Sequence, residues 1–161
     1  MRFDRVDGHE PYVGLGWGRR VWERRLFLAE DSPVYWAARI LRELAVIDPG
    51  LPEVDAVIAC ATNPVTWRMG RIRSYAAKAR YLNERAKVGG DTPRVMLVWF
   101  LELVAKVAYD ASDPRDPFDD DAGSRIAPAA VRIAANSGDE ELAVRVAAAI
   151  DGWLVDLRRV R

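Results

Sequence analysis

Pro93-Arg94-Val95-Met96-Leu97-Val98-Trp99-Phe100-Leu101-Glu102-Leu103-Val104-Ala105-Lys106-Val107-Ala108-Tyr109 is apolar on nearly every side when wound as an α-helix. Thr92 supplies a capping oxygen, and Pro93 suits the first helical position because the N–H it lacks has no partner there anyway. A helix that is apolar all round belongs in a membrane or at the centre of a core. The longest uninterrupted apolar run, Val95 to Leu101, ends at Glu102 and falls short of the about 20 residues that a span requires. The segment at about 93–109 is therefore expected at the centre of a soluble helical bundle.

Helix signals continue on both sides. Ser32-Pro33 and Asn63-Pro64 repeat the pairing of a capping side chain with proline, whereas Ala127-Pro128 lacks the capping oxygen. Apolar spacing predicts helices over 21–30, 33–47, 52–62, 64–87, 93–109, 125–135 and 139–159. Asp48-Pro49-Gly50, Gly89-Gly90 and Asn136-Ser137-Gly138 are the stops between them. The strings Ser32-Pro33-Val34-Tyr35-Trp36 and Asn63-Pro64-Val65-Thr66-Trp67 look alike, but Thr92-Pro93-Arg94-Val95-Met96 does not continue a repeat, so shared capping chemistry explains the likeness. The expectation is all-α: an irregular, glycine-rich segment over 1–20, then one bundle domain over 21–161 with about six or seven helices and an acidic loop at 110–123.

Composition supports that class. The chain has 161 residues, half of them hydrophobic and 30% charged, with 24 basic residues against 24 acidic ones. One domain of that size buries roughly two-thirds of its unfolded surface, so it needs no metal or disulfide. Cys60 is the only cysteine, and Met1 to Glu10 contain no apolar signal core, so a cytoplasmic location is expected. Arginine accounts for 21 of the basic residues and lysine for three, which points to a GC-rich bacterial or phage genome.

The chemical motifs are few. One histidine, His9, and one cysteine exclude a Cys/His zinc cluster, and a Cys–His couple would require the N-terminal segment to meet a core helix. Gly14-Leu15-Gly16-Trp17-Gly18 lacks the glycine spacing of a dinucleotide loop. Asp110, Asp113, Asp116, Asp119, Asp120 and Asp121 form an acidic cluster, but Gly123 is displaced from the EF-hand position and Ala130 stands where the bidentate glutamate belongs. The expectation is a solvated loop; a second reading has it shield or compete for a basic surface on the same or another chain. No catalytic residue, metal ligand or cofactor is assigned. Carboxylates such as Glu23, Glu43 and Asp55 are not singled out by any spacing.

Local charge is more informative. Residues 63–90 hold seven basic side chains against Glu84 alone, whereas 91–123 hold eight acids against Arg94, Lys106 and Arg115. Within the helix expected over 64–87, Val65, Met69, Ile72, Ala76, Ala79 and Ala86 form a stripe that reads as the inward packing seam. Arg73, Arg80 and Lys87 repeat along one flank, and Arg71, Lys78 and Arg85 along the far side. Trp67, Arg71, Tyr75, Lys78, Tyr81 and Arg85 are accordingly the expected outward binding face; the competing reading has the rings packed inward, the arginine stems laid over the core edge and the charges answered by the acidic loop. Arginine and aromatic residues are favoured anchors at protein interfaces. The first reading is a non-enzymatic adaptor, inhibitor or accessory subunit with a protein partner or a second copy of itself. The alternative is a subunit that follows the backbone of RNA or single-stranded DNA, with rings stacked on bases. No membrane partner is expected.

Overall fold

A computed structural model describes residues 33–112 and 121–160. The expected irregular segment 1–20, the helix 21–30, the Ser32 cap, His9 and the aspartates between 113 and 120 lie outside the described residues. Within them the architecture is all-α, with six α-helices and no strand. Helix α1 is Pro33–Leu44, extended by a 3-10 turn, Ala45–Ile47, and α2 is Glu53–Thr62. A second 3-10 turn, Pro64–Met69, leads into α3, Gly70–Val88. The remainder are α4, Pro93–Ser112; α5, Asp121–Ser137; and α6, Glu140–Val160.

Helix α4 occupies the centre, as its all-round apolarity requires. Leu97, Val98, Phe100, Leu101 and Val104 are fully buried. It packs against α1, α2, α3, α5 and both 3-10 turns. Helices α5 and α6 form a hairpin, and α6 also lies along α1. There the ring of Trp36 fills the space above Gly152, where an added Cβ would come within 2.7 Å of it. Arg145 ties the same pair together by donating to Glu43 Oε2 at 2.9 Å. None of the described helices is long and apolar enough to cross a membrane.

The turn chemistry follows the expected signals. Asn63 Oδ1 accepts from the Val65 N–H at 3.1 Å and Thr92 Oγ1 from Val95 at 3.2 Å. Gly89 ends α3 in the left-handed region at φ 77°, its N–H donating to the Arg85 carbonyl. Asp139 caps α6 by accepting from the Leu142 N–H at 3.1 Å.

Four boundaries differ. The 33–47 segment finishes in the 3-10 turn. Helix α4 continues to Ser112, so Asp110 belongs to a helix and is buried, not to an acidic loop. Helix α5 begins at Asp121 and carries Pro128 inside it, not at its first turn. An interior proline costs about 3 kcal/mol. Burial of Ile126, Ala127, Ala130 and Ile133 against the core offsets it. Finally, the segment 64–87 is a 3-10 turn followed by an α-helix. The Thr66 hydroxyl shares its proton between two carbonyls that precede the turn, Cys60 at 2.9 Å and Asn63 at 2.7 Å, which ties the tighter winding back to the end of α2.

Candidate interaction face on α3

Helix α3 has two usable faces, and the small one points inward. Gly70, Ser74 and Ala77 are its buried residues, with Tyr81 and Glu84 continuing that line half-buried. An added Cβ on Gly70 would stand 2.3 Å from the Ala105 carbonyl oxygen and 2.9 Å from the Tyr109 nitrogen. The backbones of α3 and α4 touch here, and only small side chains permit that approach.

The apolar stripe is consequently on the outside, opposite to the sequence expectation. Val65 is 89% exposed and Ile72 73% exposed. Met69, Ala76, Ala79, Leu82 and Ala86 are exposed too. Tyr75 stands beside them at 61%. At 100° per residue, this stripe lies almost diametrically across the helix from Gly70, Ser74 and Ala77. Isolated exposed apolar residues need no explanation, but a contiguous exposed stripe is a candidate contact surface. The stripe was legible in the sequence, but its side was misassigned. The Gly70-x-x-x-Ser74-x-x-Ala77 spacing is the signal for the inward face, and small side chains with little or no apolar area leave it faint in a hydrophobic pattern.

The six expected face residues divide. Trp67 is buried at 3%, and its indole N–H donates to the Ala61 carbonyl at 2.8 Å. The 3-10 winding turns this ring beneath α2, so it does not belong to the exposed surface. Tyr81 packs against the core and donates to Asp91 Oδ1 at 3.3 Å. Burial, and then the Asp91 charge, push its phenol above the usual range. Arg71, Tyr75, Lys78 and Arg85 are exposed as expected. Arg71 lies 5.7 Å from the rings of both Tyr75 and Tyr109, and its Nε donates to the Tyr75 hydroxyl at 3.4 Å. Arg85 pairs with Asp91 at 2.9 Å.

The two basic rows differ in how far they are neutralised. Arg80 pairs with both Glu53 and Glu84, and Arg94 bridges Glu84 and Asp48 at 2.6 Å each. This chain of five charges joins α2, α3 and the start of α4. It draws Arg80 into the fold and holds the Glu84 carboxyl below its usual range, chiefly through the Arg94 hydrogen bond. Arg68, Lys78 and Lys87 make no ion pair among the described residues. Beneath Lys78 lies Glu102, half-buried on α4. Burial raises its carboxyl, while Lys78, Arg125 and Lys106 pull it back.

On the Arg73–Arg80 flank, where α3 meets α2 and α4, Val57, Ile72, Ala76, Ala77, Val98 and Leu101 line a groove of about 150 Å³, with Glu53, Arg73 and Arg80 at its edge. Elsewhere the chemistry is sparse. Cys60 is buried and donates to the Thr66 carbonyl at 3.2 Å; burial raises its thiol while the nearby Arg73 lowers it. Among the described residues no three potential ligands gather to hold a metal ion. Glu43 is committed to Arg145. No protein family, curated protein or solved structure matches this chain.

Proposed function

We propose that the protein is a non-enzymatic helical adaptor or accessory subunit that acts by protein–protein contact through the outer face of α3. One observation carries this reading: an apolar stripe from Val65 to Ala86 lies open between rows of arginine and lysine. Interfaces concentrate apolar and aromatic contact at the centre and place charge at the rim. A surface that tracks a nucleic-acid backbone needs the opposite, with cations and stackable rings at its centre. Two of the rings suited to stacking, Trp67 and Tyr81, are taken up by the fold.

The test uses a photo-crosslinking amino acid at position 72, with the exposed Arg132 position on α5 as control. The expected result is a discrete protein adduct from position 72 and none from 132, lost when Ala79→Asp is added. Nucleic-acid adducts from 72, or equal labelling from both positions, refute the reading.

A further inference from the structure

Resting on that reading, we infer that the α3 face takes one kind of occupant: an acidic amphipathic helix, laid along α3 with its apolar edge on the stripe and carboxylates on its flanks. Three features of the surface select it.

The first is periodicity. Within α3, Ile72, Ala76, Ala79, Asn83 and Ala86 follow alternating steps of four and three residues, the pattern of a helix–helix seam, and the exposed Val65 and Met69 of the preceding 3-10 turn add apolar surface at its start. Helix α3 has 19 residues and is about 28 Å long, which matches a partner helix of similar length. Ala76, Ala79 and Ala86 leave the middle and far end of the seam shallow, so a second helix can approach closely. A β-strand has no matching period and finds no open sheet edge to join among the described residues.

The second is charge. Arg71, Lys78 and Arg85 border the stripe on one side, with Arg73, Arg80 and Lys87 on the other; Arg80 is taken up by Glu53 and Glu84 and Arg85 by Asp91, which leaves Arg68, Arg71, Lys78 and Lys87 without an ion pair among the described residues to carry the charge of the rims. A second copy of this chain packed on the same face sets cation against cation in either direction, because both flanks carry the same sign. A partner with glutamate or aspartate on both flanks meets complementary charge instead. Complementary rims of this kind govern partner choice and encounter rate. The chain's own aspartate-rich stretch at 113–120 is interrupted by Pro114 and Pro117 and offers only Phe118 as a large apolar residue, so it cannot supply the seam.

The third is the groove beside Ile72 and Ala76. Its floor is Val57, Val98 and Leu101, and its edge is lined by Arg73 and by the Arg80–Glu53 pair. It has room for one large apolar side chain, with an acidic residue a turn away reaching Arg73. Buried apolar anchors in pockets of this kind carry most of an interface's affinity.

The test titrates the full-length protein against two fluorescent, helix-favouring peptides of about 20 residues. Both carry a leucine–alanine seam in alternating steps of four and three. One has glutamate on both flanks, the other lysine. The glutamate peptide is expected to bind at least about 30-fold more tightly, and to weaken as salt is raised. Ile72→Asp abolishes its binding. Arg71→Glu with Lys78→Glu, at two exposed positions and with native folding checked by circular dichroism, lowers its affinity about tenfold or more and improves the lysine peptide. Equal affinity for both peptides overturns the inference. So does a dimer seen by light scattering that Ile72→Asp dissociates, which assigns the face to a second copy. Protection of an Ile72→Cys thiol in the isolated monomer also overturns it, because the chain then covers its own stripe. If neither peptide binds below about 100 µM while position 72 still crosslinks to protein, the contact face stands and the acidic helix falls.

Discussion

Replacing Gly70 with alanine tests the orientation of α3 through the sign of its effect. In a helix whose Gly70 faces solvent, Gly70→Ala stabilises by about 1 kcal/mol, because alanine loses less backbone entropy. In the fold described here, the new methyl lies 2.3 Å from the Ala105 carbonyl oxygen and 2.9 Å from the Tyr109 nitrogen. Both are backbone atoms of the central helix and have no rotamer to yield. Reaching ordinary contact requires α3 to move out by about 1 Å, and overpacking of this severity costs about 3 kcal/mol. After the propensity gain, the net loss is about 2 kcal/mol, or about 4–8 °C in Tm for a chain of this length. Urea unfolding followed by far-UV circular dichroism, paired with calorimetry, measures it. Gly90→Ala is the control, since a Cβ there meets nothing within 4 Å, and it should change stability by less than about 0.5 kcal/mol. A Gly70→Ala protein as stable as the parent, or more stable, would put the small face of α3 outside. The proposed contact stripe would then be part of the core.

Two further outcomes follow from the same packing. Trp67→Ala should cost about 3–5 kcal/mol in equilibrium unfolding, and Trp67→Phe markedly less, because the first empties a buried site and the second mainly strands the Ala61 carbonyl; a loss under about 1 kcal/mol for Trp67→Ala would return the ring to the surface. Arg94 lowers the folded-state pKa of Glu84, so the ionised carboxyl contributes stability above its unfolded value near 4.5, and this is lost as pH falls through the lower folded value. Glu84→Gln should therefore cost about 1 kcal/mol at neutral pH, with the gap to the parent closing on acidification; a gap independent of pH would remove Glu84 from the ion-pair chain.

Much of the fold was legible locally. The apolar circumference of 93–109 placed α4 at the centre because a helix without a polar side has nowhere else to go. The stops at Asp48-Pro49-Gly50, Gly89 and Gly138 were readable because left-handed and turn geometries are chemically distinctive. Pro128 misled because the cost of an interior proline is local, whereas the burial that offsets it comes from neighbouring helices. Asp110 likewise reads as loop by composition and is helical by packing.

The sequence alone determined that this chain forms helices, where most of them stop, and that residues 64–88 carry an apolar stripe between two basic rows. Only the tertiary structure decided which side of that helix meets the core. Periodicity measures how far apart the faces lie and carries no sign for inside and outside. Here the choice went to Gly70, Ser74 and Ala77, because backbone-to-backbone approach to α4 demands small side chains. That left Ile72 and its neighbours facing outward.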